Sequence, residues 1–431
     1  MHTNVLGLRL LIAAGLGLCG TKAAADDWPM FMHDPGHTGV SEERLAPPVW
    51  QAWEFPLGQS SAAPVAAKGI VYAGNWAGEV FAVEATGGKL KWKFKTRGPV
   101  CYAATVAHGR VGVGSADGTF YAIDADSGRV AWQYQTGDQI WTSPIVVDDT
   151  VYFGSNDRYC YALDMPSGDP IWKRELDTRM HGSPAAEGDR LFVLSHGGIL
   201  YALDRKSGAI VWKKDTGAEI FNASPSVRGG VVYVALSSRR LGEEGFGSEP
   251  TAGLLEYTLR ALRAQDGSLL WETGGGVLVG EVSSEKGGSS FYWATPTVSA
   301  DTVFVQGTER GGYRNFWNVS EIKYLRWPHF YVVDSATGKL RVKKDNFFAL
   351  HGRMMNPTGG WCAAALTGHY LVGCGGVIDV RSAKLVGHLG ARSNEGNPIT
   401  TAAAISEGKL FIVRMGHGQH PLVAYEMGKD K

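Results

Sequence analysis

The chain is poor in cysteine, in net charge and in long apolar runs. Five cysteines are spread over 431 residues and none sits in a C-x-x-C-H motif. A covalently attached c-type haem is therefore excluded. Lys+Arg and Asp+Glu both number 42. That balance leaves no basic excess for a phosphate backbone, which excludes a nucleic-acid binder. Beyond residue 25 no apolar run reaches the ~18 residues that a membrane-crossing helix needs, so no transmembrane span is expected.

The one long apolar stretch is at the start, from Val5 to Leu18, with Arg9 inside it and Ala23-Ala24-Ala25 after it. This pattern predicts a secretory signal peptide over residues 1–25, cut after Ala25. The alternative is a lipoprotein signal with Cys19 as the lipidated residue. Leu18 fits that reading poorly, because a small residue is expected there. Either way the mature protein is expected in the periplasm or outside the cell. Four cysteines then remain: Cys101, Cys160, Cys362 and Cys374. Cys362 and Cys374 lie symmetrically about Gly368. A hairpin turning there would set them opposite each other, either as a disulfide or as two buried thiols.

What the chain has in quantity is glycine, 58 residues, and aromatic side chains, 11%. Both are arranged in a repeat. Residues 151–172 read VYFGSNDRYCYALDMPSGDPIW: two alternating apolar runs, a polar turn at Asn156-Asp157, and Trp172 after a second turn at Ser167-Gly168. Alternation of this kind marks half-buried strands. Copies end at Trp92, Trp132 and Trp212, so the four tryptophans are spaced 40 residues apart. A strand-built period of that length means a solenoid or a propeller. Aligning first strands gives eight units anchored at Pro64, Ala104, Pro144, Pro184, Pro225, Pro296, Ala363 and Ala403. Four short strands per unit describe a propeller blade. The eighth unit ends near Met427 without a Trp strand, while residues 49–55 form an orphan strand with Trp53 placed 39 residues before Trp92. The expected fold is an all-β, eight-bladed β-propeller of four-stranded antiparallel blades over residues 49–427. A lead-in over 26–48 precedes it, a tail over 428–431 follows, and the N-terminal strand completes the last blade.

The pattern A-x-D-x-x-S-G-x-x-x-W, at Ala122 to Trp132, Ala162 to Trp172 and Ala202 to Trp212, resembles the tryptophan-docking repeat of the pyrroloquinoline quinone (PQQ)-like propellers. Looser copies run from Ala82 to Trp92 and from Ala261 to Trp271. The lead-in W-P-M-F with D-P-x-H-T-G, from Trp28 to Gly39, is similar to the N-termini of that family. The resemblance implies the fold over nearly the whole mature chain. It implies either of two activities, because the family holds quinoprotein dehydrogenases and also non-catalytic scaffolds of the outer-membrane assembly machinery. A quinoprotein dehydrogenase would bind PQQ with Ca²⁺. Its cofactor is held between a Trp and a pair of adjacent cysteines, beside carboxylate and amide oxygens, and this chain has no adjacent cysteines.

Function is expected where the repeat is interrupted. The spans from Ala235 to Arg260 and from Gln306 to Tyr331 are each 25 residues, against 7 from Gly154 to Tyr161. The links from Trp271 to Pro296 and from Val342 to Ala363 are also long, at 25 and 21 residues. All four additions fall on one face of the ring, on blades five to seven. Three residues before each anchor stand Ser61, Cys101, Trp141, His181, Asn222, Trp293, Gly360 and Thr400, with Tyr102 and Trp361 beside them. Tyr102, Trp141, His181, Asn222, Trp293 and Trp361 are the candidate ligand-binding residues of this mouth, unless its aromatics only fill the axis. His181, His351 and Arg353 are the candidate catalytic groups, as base and anion clamp. The blade-six insert carries Arg310, Arg314, Trp317, Tyr324 and Trp327, a composition suited to a binding surface. No metal site is predicted, since Met415, His417 and His420 are loosely spaced in one turn. The reading that needs least is a monomeric binding or interaction scaffold of the cell envelope, whose partner is a protein or a glycan on the insertion-rich face. The alternatives are a PQQ-dependent dehydrogenase and a carbohydrate-active enzyme.

Overall fold

The computed structural model describes residues 26–219, 224–238, 254–273, 279–281, 290–293, 295–311, 324–344, 363–373, 376–389, 399–415 and 420–429. They form eight blades of four antiparallel strands, an eight-bladed β-propeller with no helix among the described residues. Blade three shows the unit. Ile145–Val147 pairs with Thr150–Gly154, then Tyr159–Asp164, then Pro170–Glu175 at the outer edge. The two middle strands are nearly all buried, because the neighbouring blades cover both their faces. The outer strand alternates between exposed and half-buried residues.

The ring closes as the sequence predicts. Leu45–Pro56 pairs antiparallel with Pro421–Lys429, so the N-terminal strand is the outer strand of blade eight. It begins at Leu45, four residues earlier than the sequence pattern suggests, because the chain bulges at Pro47-Pro48 and the ladder resumes on the far side.

The docking repeat is a hydrogen-bonded device. In the D-x-x-S-G turn of blade three, Asp164 Oδ1 accepts from the Ser167 amide at 2.7 Å, and Gly168 takes φ +85°. The preceding blade's Trp132 lies on that glycine. A Cβ at Gly168 would stand 2.5 Å from the indole, so only glycine fits both the turn and the contact. The indole N–H of Trp132 then donates to Met165 O at 3.0 Å. Trp53, Trp92, Trp172, Trp212 and Trp271 make the same bond to Ala85, Ala125, Arg205, Ala264 and Ser335, at 2.9–3.0 Å. Blade six has Val342 at this position, opposite Val332, and blade seven has Gly387, opposite Val377.

The lead-in is not the plain polar segment that its composition suggests. It visits the blades in chain order along the inner strands. Carbonyls of Trp28, Pro29, Pro35, Gly36, Thr38 and Gly39 accept from the amides of Ala66, Val106, Ala186, Val227, Val298 and Leu366, all at 2.7–2.9 Å. Those amides lie on the open edge of each innermost strand, and the lead-in satisfies them. Val40–Ser41 then pairs parallel with Ala365–Thr367, and Glu43 Oε2 accepts from Gly408 N in blade eight at 2.7 Å. Phe31 and Met32 are buried in one cluster with Ala63, Ala103, Ala363 and Ala402, residues of four different blades. His37 is fully buried, with its ring edge-on to Phe31.

Blade seven differs by one residue from the sequence alignment. Ala365 pairs with Val372, as Val65 pairs with Tyr72 in blade one. The anchor is therefore Ala364 rather than Ala363, and counting back three residues reaches Trp361 instead of Gly360. The turn is centred between Gly368 and His369. Cys362 and Cys374, expected to face each other across this hairpin, lie outside the described residues.

Candidate functional site

The mouth of the ring lies on the face of the interblade links and the second-to-third turns. Four of its positions are described in full: Ser61, Cys101, Trp141 and His181. Their backbones are fixed by hydroxyls one step deeper. The Ala103 amide donates to Ser143 Oγ at 3.1 Å, Ser143 N to Ser183 Oγ at 2.8 Å, and Ser183 N to Ser224 Oγ at 2.9 Å. Ser61 Oγ donates to Cys101 O at 3.3 Å. Among the described residues the links of blades one to five are thus bonded one to the next, which makes that part of the mouth a stiff rim rather than a set of loops.

Trp141 and His181 lie side by side, with ring centroids 5.5 Å apart. His196, on the turn of blade four, was not singled out from the sequence. It stands edge-on to His181 at 5.1 Å, and its amide donates to Arg179 O at 2.9 Å. The corresponding positions in blades one to three are Trp76, Ala116 and Asn156, each bonded to the preceding link. The repeat itself was the signal that could have found His196. Burial holds both imidazoles neutral, with His196 and Arg179 adding to the effect at His181. His181 falls to about 3 and His196 to about 4. Such an imidazole is a weak proton acceptor at neutral pH, which tells against His181 as a general base. Tyr102, the next residue along the rim from Cys101, is half-buried. Cys101 and Cys160 are free, buried and on different blades, and burial raises both thiols, Cys101 to about 12. Neither has thiolate character.

Asn222, Trp361, His351, Arg353, Arg314 and Trp317 lie outside the described residues. For Trp293, Arg310, Tyr324 and Trp327 the backbone is placed. Trp293 stands opposite Gly307, Arg310 opposite Leu325, and Tyr324 opposite Gly311, while Trp327 is the extra residue at a bulge. His420 Nδ1 accepts from the Ser60 amide at 2.9 Å, so it ties blade eight to the rim.

Blades five and six rise above this rim. Their second and third strands, Val231–Ser238 with Leu254–Arg263 and Thr302–Gly311 with Tyr324–Asp334, pair over seven and ten residues. Blade three pairs over five. At ~3.4 Å per residue the blade-six ladder extends ~17 Å beyond its counterpart. Ala218–Glu219, Val279–Glu281 and Ser290–Trp293 add strands to these ladders.

The family model described as outer membrane protein assembly factor BamB matches residues 47–179 and 156–274. Together these segments cover more than half of the chain. The chain belongs to this PQQ-like repeat family. Solved structures agree on the fold. BamB from Moraxella catarrhalis superposes with a TM-score of 0.59 at 16% identity, over 89% of this chain and 99% of that one. The quinohemoprotein alcohol dehydrogenase of Comamonas testosteroni gives 0.61 at 14%, over 94% and 81%. The computationally designed Ika8 protein gives 0.58 at 14%, over 89% and 99%. None of the curated proteins compared with the chain matches it in sequence.

A quinone and its calcium do not fit the described part of the mouth. Ser61, Cys101, Trp141 and His181 include no carboxylate and no paired thiols. Among the described residues no three His, Cys, Asp or Glu side chains converge to hold a metal ion.

Proposed function

We propose that this propeller is an exported, non-catalytic interaction scaffold of the cell envelope that captures a protein partner on the decorated face of blades five to seven, where the ladders of blades five and six rise. One observation carries this reading. Among the described residues, the second and third strands of blades five and six pair over more residues than those of the other blades, on the same face, and carry added edge strands. Added strands on a stiff frame offer backbone edges and side-chain rows to a partner chain. The match to the family model described as outer membrane protein assembly factor BamB supports an envelope role. The N-terminal signal pattern supports export, with cleavage after Ala25. The aromatic and arginine content of the blade-six insert, with Arg310, Arg314, Trp317, Tyr324 and Trp327, suits a protein surface with carboxylates.

The reading is tested against catalysis by titrating the mature protein with PQQ and Ca²⁺, following tryptophan fluorescence and dye reduction with mixed alcohols and sugars. The expected outcome is no saturable, calcium-dependent quenching and no turnover. Tight quenching with turnover would replace the scaffold by a dehydrogenase.

A further inference from the structure

The lead-in is held to the ring mainly by its backbone. Its carbonyls bond the open edges of innermost strands, but blade three is passed over. Among the described residues no lead-in carbonyl bonds the strand Ile145–Val147. Between Pro29 and Pro35 the chain bonds to itself instead, with the His33 amide donating to Met30 O at 3.1 Å, and the His37 amide then donates to Asp34 O at 3.0 Å. Met32, His33 and His37 take φ of 58°, 78° and 56°. Left-handed backbone is unfavourable for such residues, so the segment keeps this path only while its contacts hold it.

Two histidines of this segment have opposite proton requirements. His33 lies 3.1 Å from Asp26 and 3.7 Å from Asp34, with its ring tilted against Trp28. Burial opposes its proton, and the two carboxylates outweigh that. His37 is fully buried. Its Nδ1 donates to Pro225 O at 3.1 Å, in the link to blade five, so the neutral ring carries its proton there. A second proton would sit on Nε2, for which no described residue offers an acceptor. A buried donor without an acceptor is costly, and moving the ring into water removes that cost. Burial lowers His37 to about 4, and Asp34, the charged group that acts on it, does not offset this. Neutral His37 therefore holds the segment fully above pH 6.5, and its contribution is lost as pH falls from 6.5 to 4. The acids of the segment do not drive release in this range. Burial opposes ionisation of Asp26 and Asp34, but their bonds to His33 hold both below the ordinary carboxylate range. Burial raises Glu43, so a proton there favours the docked segment.

We infer that the lead-in is an acid-released strap: protonation of His37 frees residues 26–41 from the inner strands while the blades stay folded. The ladders within the blades and the indole bonds between them do not run through the lead-in from Asp26 to Gly39, so the ring keeps its own framework. Release uncovers the inner-strand amides together with the buried Trp28, Phe31 and Met32, a hydrogen-bonding and apolar edge that neutral pH keeps covered.

The test is hydrogen exchange on the mature chain at pH 7.0 and 4.5, with rates corrected for the pH dependence of exchange in free peptides. The amides of Ala66, Val106, Ala186, Val227, Val298 and Leu366 are expected to open roughly fiftyfold more at pH 4.5, while Thr150–Gly154 and Tyr159–Asp164 of blade three keep their protection. His37→Asn keeps a donor near the place of Nδ1, tolerates the left-handed backbone and does not titrate. It leaves His181 and His196 on the rim untouched, and it is expected to hold the edges at pH 7.0 and to lose the acid step. Unchanged edge exchange at pH 4.5, opening of blade three together with the edges, or an acid step retained in His37→Asn would each overturn the proposal.

Discussion

Six blade junctions are docked by an indole, and two are not. From blade eight round to blade six, each outer strand lays a Trp on the next blade's glycine turn. From six to seven the residue is Val342, and from seven to eight it is Gly387. The turn beneath Val342 changes with it. Ala383 occupies the glycine position at φ +50°, because no indole lies above to exclude its Cβ. Gly387 leaves room for Val49 of the closing strand, 3.3 Å from where a Cβ would stand. The lead-in is most heavily invested at the same place. Val40–Ser41 pairs with blade seven, Thr367 Oγ1 donates to Glu43 O and accepts from Leu45 N, and Glu43 reaches blade eight. The two weakly docked junctions are thus stitched by the N-terminal segment, and the two ends of the chain share that task.

The comparison can be broken most sharply at a docked junction. Trp132→Ala should cost about 3–5 kcal/mol in denaturant unfolding, through the lost packing and the orphaned turn carbonyl. Val342→Ala, at the undocked junction, should cost about 1–2 kcal/mol. Equal costs would remove the distinction. Next in size is Gly168→Ala, which puts a Cβ against Trp132 at a left-handed φ and should cost about 2–3 kcal/mol. Ala383→Gly, its counterpart without an indole, should be neutral or slightly stabilising in the same measurement.

The third test is pH, acting through the stitch. His33 Nε2 lies 3.1 Å from Asp26 and its Nδ1 lies 3.7 Å from Asp34, while Asp26 also accepts from Ser41 Oγ and from Glu42 N. Burial opposes protonation of His33, but the two carboxylates outweigh it and raise the imidazole from 6.5 to about 9. Protonated His33 therefore stabilises the fold fully below pH 6.5, and that contribution is lost as pH rises through 9. Its size is on the order of 2 kcal/mol. His37, His181 and His196 act in the opposite sense. Burial lowers them to between about 3 and 4, so their contribution is complete above 6.5 and is lost as pH falls below it. Stability should peak near pH 6.5. Amide exchange in blades seven and eight should quicken from pH 6.5 to 9.5 more than in blades two to four. His33→Gln should remove that alkaline limb, and an unchanged limb would show that the stitch is not its cause. The smallest effect expected is a gain: Val342→Trp with Ala383→Gly should dock a seventh junction and add roughly 1 kcal/mol.

Much of this was legible in the sequence because side-chain types carry it. The tryptophan period gave the blades, and Trp53 at the same spacing predicted the closure. The register of blade seven was not legible, because Ala363-Ala364-Ala365 offers three equivalent anchors. The path of the lead-in was hidden for a deeper reason. It acts through backbone carbonyls, and no residue type announces those. At the mouth, Trp141 and His181 were found by position. His196 was passed over because the turn that carries it looks like any other until its neighbours in the ring are known.

The central claim is that the lengthened ladders, and not the axis of the ring, meet the partner. It is tested most directly by replacing residues 312–323 with Asn-Gly, a two-residue turn that closes the Thr302–Gly311 and Tyr324–Asp334 hairpin where its ladder ends. The wild-type and shortened chains are then compared in cross-linked capture from solubilised cell envelopes. The account predicts one partner band that the shortened chain loses while its melting temperature is unchanged. The same partner retained at equal yield by the shortened chain would contradict it.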